Sequence, residues 1–183
     1  MYGSQTIKAI NLRSKIIFKS RFLKVLNPLE RHEFMQLCNK RTYKAGEYIY
    51  YQGDPGTGMY FVESGLVELV VETGNDDDTA KKPSYKIEPP ESFGALSIGY
   101  DMRRMSSARC IADTTVYGFF KPDLNTLCDR HPQIGIKILQ VLNMIALKQL
   151  QITVQQLALK TDVATAHSLQ FETYYAGEHL NEE

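Results

Sequence analysis

Cysteine is scarce in this chain, and the little there is carries no pattern. Cys38, Cys110 and Cys128 are odd in number and far apart among 183 residues, so they form neither a disulfide framework nor a set of metal ligands. They read as buried thiols of a reducing compartment, which implies a cytoplasmic protein. Histidine is equally thin. His32, His131, His167 and His179 have no partner at ligand spacing such as H-x-x-x-H, and no metal site is expected. Long apolar runs are missing too. No stretch approaches the roughly twenty apolar residues that span a bilayer. Near the start, Lys8, Arg13 and Lys15 interrupt Ile7, Ile10, Leu12 and Ile16, so neither a secretory leader nor a membrane segment is expected. Formal net charge is zero, which removes bulk attraction to nucleic acid or an anionic membrane. No nucleophile–base pair or paired carboxylates stand out, so no catalytic residues are assigned and an enzyme is not expected.

The charge that is present is unevenly spread. Residues 1–44 carry ten Lys and Arg against Glu30 and Glu33, a balance of +8, and residues 161–183 carry five acids and no Lys or Arg, a balance of −5. These ends read either as two solvated faces or as surfaces that meet within or between subunits. The charged stretch 74–83, with Asp76-Asp77-Asp78 and Lys81-Lys82, lacks the alternating oxygen ligands, glycine and distal Glu of a calcium loop and reads as a hairpin tip.

Four stretches follow from pattern. Residues 1–40 form an N-terminal helical segment: over 5–40 the apolar residues Phe22, Leu23, Leu26, Leu29, Phe34, Leu37 and Cys38 recur at helical spacing, and Asn27-Pro28 marks a capped start. Residues 41–121 turn to β, in short runs rich in Tyr, Val, Ile and Phe between glycine turns, with later strands near 107–112 and 115–120. That is the pattern of a small antiparallel roll or barrel. Residues 122–160 form a hinge and a long helix: a short helical piece at 123–127 ends before His131-Pro132, and the helix runs over 132–160, where Ile138, Ile145, Ile152 and Leu159 recur every seven residues. A seven-residue apolar repeat suits packing along another helix, and a homodimer through 132–160 is expected, against the alternative of a helix that covers its own β domain. Residues 161–183 are an acidic tail with a final helical turn around 169–175. The fold class is α+β: an antiparallel β-roll, jelly-roll-like, flanked by N-terminal helices and a long C-terminal helix.

One constellation points to chemistry. Ser92-Phe93-Gly94-Ala95-Leu96 is a glycine turn, and Arg104-Met105-Ser106-Ser107-Ala108 places an arginine among mostly small residues. Glycine lets backbone N–H groups approach an anion, and a guanidinium offers a fixed fork of donors to phosphate oxygens. The combination reads as a pocket that holds one small phosphate without reacting with it.

In this order and spacing the chain resembles the cyclic nucleotide-binding domain of the cyclic AMP receptor protein superfamily. Tyr43-Lys44-Ala45-Gly46-Glu47-Tyr48-Ile49 looks like that family's opening strand, and Gln52-Gly53-Asp54-Pro55-Gly56 followed by Met59-Tyr60-Phe61-Val62-Glu63-Ser64-Gly65 looks like its most distinctive block. Phe93-Gly94-Ala95-Leu96 looks like its phosphate cassette, and Arg104, Met105 and Ser106 fall at its phosphate arginine. The resemblance implies a regulatory domain that holds a 3′,5′-cyclic nucleotide, cyclic AMP more than cyclic GMP, inside a β-roll. It implies that Gln149, Leu150 and Thr153 form a lid over the base, and that the C-terminal helix passes the signal to an unknown effector protein. Only 161–183 follow that helix, too short for the family's helix-turn-helix unit, so a stand-alone sensor without direct DNA binding is expected. The family usually has Glu, an acceptor for the ribose 2′-hydroxyl, where this chain has Ala95. Ala95 and Arg104 therefore leave two readings open: a nucleotide sensor, or a degenerate domain without a ligand that serves as a dimeric scaffold.

Overall fold

The computed structural model describes residues 16, 19–72, 84–99 and 102–176. The chain divides into two compact units, one ending at Leu142 and the other beginning at Asn143. The basic segment before residue 16, the charged loop 74–83 and the end of the acidic tail lie wholly or mostly outside the described residues.

In the first unit a short 3-10 turn, Phe22–Val25, leads into helix α1, Pro28–Gln36. The α1 start is the one its sequence predicts. The Asn27 side chain accepts a bond from the Glu30 N–H at 3.0 Å, Glu30 accepts from the Asn27 N–H at 2.9 Å, and proline takes the first turn. This reciprocal cap satisfies two orphan donors. The expected helical segment, however, does not run to residue 40. Strand β1 begins at Asn39, because Asn39–Tyr43 pairs with β8. Leu29 does not join the apolar stripe either; it is 70% exposed.

The β region is two four-stranded antiparallel sheets. One runs β1–β8–β3–β6 and the other β2–β7–β4–β5, with β1 Asn39–Tyr43, β2 Tyr48–Tyr50, β3 Gly58–Ser64, β4 Val67–Val70, β5 Ser84–Ile87, β6 Ser92–Phe93, β7 Ser107–Cys110 and β8 Thr114–Phe120. Together with the flanking helices this is the α+β roll that the sequence predicts. Strands β5 and β6 were not anticipated. The interior of the roll gathers Tyr60, Val62, Val67, Phe93, Ala108 and Val116, with Tyr50, Leu69 and Phe120 packed against them. The opposite face of β3 is also covered: Phe61 meets Phe22 and Phe34 edge-on at 5.7 Å, and Phe34 lies 4.5 Å from Phe119. Burial of β3 on both faces explains why its apolar residues run continuously instead of alternating.

Helix α2, Leu96–Gly99, follows β6 directly. Helix α3 spans Lys121–Arg130, longer than the piece expected at 123–127, because Asp123 accepts the Phe120 N–H at 2.8 Å and so starts the helix earlier. Helix α4 spans Pro132–Lys160, the predicted bounds. Its first part belongs to the first unit, where Ile134 and Ile138 are buried and Lys137 pairs with Glu30 at 2.6 Å. Cys38 and Cys110 are buried, whereas Cys128 is half-buried, and none of the three is in a disulfide.

The second unit contains the rest of α4 and helix α5, Val163–Ala176. A full helix replaces the single turn expected at 169–175, since Asp162 caps it through the Thr165 N–H at 2.9 Å and hydroxyl at 2.6 Å. Between α4 and α5 lies a groove of about 780 Å³, lined by Leu147, Leu150, Val154, Leu159, Val163 and His167 among others. Of the heptad residues, Ile138 is buried, Ile152 is 48% exposed and Leu159 is 79% exposed. No helix among the described residues is long and apolar enough to cross a membrane.

Candidate functional site

Arg104 is the centre of the site, and a turn far away in sequence fixes its backbone. Its N–H donates to Asp54 O at 2.9 Å, and its own carbonyl accepts the Gly53 N–H at 2.9 Å. That turn is shaped by Gly53 at φ +85° and closed by Asp54, whose carboxylate accepts the Tyr51 N–H at 2.8 Å. A left-handed φ of this kind is where glycine is favoured. The Gly53-Asp54-Pro55-Gly56 motif thus aims the arginine.

The Arg104 side chain points inward and is 5% exposed. Nη2 donates to Gly58 O at 2.7 Å and Nη1 donates to Ser97 Oγ at 3.1 Å. The Tyr50 ring lies over the guanidinium with its centroid 4.1 Å from Cζ, and the Tyr60 ring lies at 5.9 Å. Such faces attract a cation through the ring quadrupole. Among the described residues no carboxylate pairs with Arg104, and its Nε is buried with no partner. A buried charge without a counter-charge is expensive, and a buried donor without an acceptor is rare. Both deficits are met by one ligand type, a small anion with several acceptor oxygens.

Gly94 makes the approach possible. It adopts φ +75°, and a Cβ built there would lie 2.6 Å from Arg104 Nη1. Phe93, one residue earlier, is buried and stacked on Tyr60 at 5.4 Å with an interplanar angle of 21°. Ala95 and Leu96 are half-buried. Gly94 of the cassette and the Arg104 guanidinium therefore lie side by side. Ser106 is half-buried. Met105, next to the arginine, is 74% exposed. Burial pushes the Tyr50 phenol up to about 12, with the Arg104 charge pulling the other way. Burial likewise raises Tyr60, first among its causes. Both phenols stay neutral near pH 7 and serve as polar, uncharged walls.

Gln149, Leu150 and Thr153 lie in the second unit, all three exposed, and Leu150 lines the α4–α5 groove there. Sequence reading had not singled out Tyr50, Gly58, Tyr60 or Ser97. Tyr50 and Tyr60 sat inside recognised strands, but their inward parity is legible only once the strand pairing is known. Among the described residues no group of three or more His, Cys, Asp or Glu is arranged to hold a metal.

A buried arginine beside a glycine turn inside a two-sheet antiparallel roll is an arrangement suited to a small anion. Comparison with known proteins makes this specific. The family model of the cyclic nucleotide-binding domain matches residues 40–131, a stretch that takes in Tyr50, the cassette and Arg104 and stops before Gln149. The chain belongs to the cyclic nucleotide-binding domain family. It is similar to the cyclic AMP receptor protein of Thermus thermophilus, 32% identical over 111 residues, covering 60% of this chain and 50% of that protein. It is also similar to the cAMP-dependent protein kinase regulatory subunit of Dictyostelium discoideum, 27% identical over 124 residues, covering 68% of this chain and 38% of that one. The chain thus spans half or less of these curated relatives. Among solved structures, a cyclic nucleotide-binding domain from Methylobacillus flagellatus superposes with a TM-score of 0.65 at 17% identity, covering 84% of this chain and 85% of that one, a likeness of fold.

Proposed function

We propose that this chain is a non-catalytic, cytoplasmic regulatory domain that binds a 3′,5′-cyclic nucleotide, cyclic AMP before cyclic GMP, with the phosphate on Arg104. The observation that carries this reading is a buried guanidinium with no carboxylate partner among the described residues and an unpartnered Nε. The single negative charge of a cyclic phosphodiester matches that single positive charge. Phe93, Gly94, Ala95, Leu96 and Ser106 line the phosphate side, and Met105 borders the site from solvent. Gln149, Leu150 and Thr153 serve as the lid over the base. The exposed apolar residues of α4, among them Met144, Leu147, Ile152 and Leu159, support a homodimer through 132–160 that reports to an effector protein. Widely spaced cysteines outside any disulfide suit a reducing compartment.

A second reading has a specific observation behind it. The Tyr50 ring already covers one face of the guanidinium, and Ala95 supplies no ribose acceptor, as in a domain kept as a scaffold. Calorimetric titration of the full chain with cyclic AMP, cyclic GMP and cyclic dinucleotides separates the two. Saturable binding of cyclic AMP at micromolar concentrations or below supports the sensor. Absence of heat with every nucleotide, from folded protein, leaves the scaffold.

A further inference from the structure

We infer that the Ser97 hydroxyl is a direct ligand of the phosphate, a second side-chain donor beside Arg104. This rests on the anion reading of the same site and names a group that the resemblance does not supply. Ser97 is 7% exposed, and its oxygen accepts the Arg104 Nη1–H at 3.1 Å. A serine hydroxyl has one hydrogen to donate. Among the described residues nothing accepts it. The Nε of Arg104 is likewise unpartnered. Two buried donors therefore share one cradle with no acceptor between them. Acceptor oxygens on an anionic ligand satisfy both at once and also supply the counter-charge that Arg104 lacks, which a neutral acceptor does not.

The hydroxyl is held in place from three sides. Its backbone N–H is tied to Gly94 O at 3.3 Å, in the cassette turn itself. Gly56 passes so close that a Cβ there would lie 2.5 Å from Ser97 Cβ and Oγ, and the Gly56 N–H is fixed to Met102 O at 2.8 Å. Arg104 itself occupies the third side. Glycine at position 56 is thus the clearance that lets the hydroxyl sit beside the guanidinium. The geometry makes Ser97 a ligand-contacting group, and a role only in orienting Arg104 predicts different behaviour.

The test titrates cyclic AMP and its two phosphorothioate diastereomers, in which sulfur replaces one or the other exocyclic oxygen, into the full-length protein, Ser97→Ala and Ser97→Cys. Sulfur is a poor acceptor, so a bond from the hydroxyl to one oxygen couples the substitution to one diastereomer. The expected result is about a tenfold or greater loss of cyclic AMP affinity in Ser97→Ala. The loss shrinks or vanishes for one diastereomer, and circular dichroism stays unchanged. Ser97→Cys keeps the side chain's bulk and serves if Ser97→Ala is unstable, with the same one-sided pattern expected. An equal loss for all three ligands overturns the inference and assigns Ser97 to holding Arg104. No loss at all overturns it too. In both cases an intact requirement for Arg104 leaves the sensor reading standing. Failure of the folded parent to bind any of the three ligands removes both.

Discussion

Replacing Arg104 with methionine separates a binding residue from a structural one, because a structural role predicts a large loss of stability without ligand and a binding role predicts little change there but a loss of affinity. In the ligand-free protein the guanidinium contributes two internal hydrogen bonds, to Gly58 O and Ser97 Oγ, and a close contact with Tyr50. Hydrogen bonds to a charged group contribute about 1.5–3 kcal/mol each, and a desolvated cation–π contact about 2 kcal/mol. Against them stands the desolvation of a charge with no carboxylate, several kcal/mol. Methionine fills similar space and packs well on aromatic rings. The terms nearly cancel. We predict that Arg104→Met without ligand melts within about 4 °C of the parent, equivalent to roughly 1 kcal/mol for a chain of this size. With ligand the balance is different. Removing one partner of a buried charge pair costs about 2–5 kcal/mol, so cyclic AMP affinity falls about thirtyfold or more, and the ligand-induced rise in melting temperature disappears. Differential scanning fluorimetry with and without cyclic AMP reads both numbers from one plate. A variant that collapses without ligand, or one that still gains the parent's full thermal shift, refutes the assignment.

Gly94→Ala puts a methyl 2.6 Å from Arg104 Nη1 at φ +75°; left-handed strain alone costs about 1–2 kcal/mol, and titration is expected to show at least a tenfold loss of affinity. Ala95→Glu restores the acceptor that the family uses, and is expected to strengthen cyclic AMP binding about tenfold or more while leaving 2′-deoxy cyclic AMP unchanged; equal gains for both ligands contradict the ribose role. Phe34→Ala empties a fully buried site against Phe61 and Phe119, and urea denaturation should show a loss of about 3–5 kcal/mol. Glu30 is held below its ordinary value, chiefly by its hydrogen bond with Lys137 and also by the Asn27 N–H. A depressed carboxylate stabilises the fold above its unfolded pKa and loses that contribution as pH falls below about 4.5. The melting difference between parent and Glu30→Gln should therefore be largest near neutral pH and shrink in acid; a gap that widens in acid contradicts this.

The legible part of the fold was the part written in local signals. Asn27-Pro28 and His131-Pro132 start their helices where the sequence places them, since a cap and an N-terminal proline act within one turn. The glycines at 46, 53, 65 and 94 all have positive φ, which is why the turns could be read. The short strands β5 and β6 were not legible. Ser84-Tyr85-Lys86-Ile87 is mostly exposed and carries no periodic contrast, and its place in the sheet comes from pairing with β4. The site divides the same way. Gly94 and Arg104 announce themselves by type. Tyr50 and Ser97 are ordinary residues whose meaning comes from what the roll brings within reach, Tyr50 through β2 pairing with β7 and Ser97 through the close pass of Gly56. Leu29 shows the reverse error, an apolar residue at helical spacing that the chain leaves in water.

The phenol of Tyr50 resting on the guanidinium has a practical consequence. The chain has eleven tyrosines and no tryptophan, so its near-ultraviolet optical activity comes chiefly from phenol and benzene rings in fixed surroundings. A group arriving at Arg104 must alter the field around one of those rings. Occupancy should therefore register as a spectral change in the unlabelled protein, and an indole introduced at a remote surface position would emit alone, giving a second and independent optical channel.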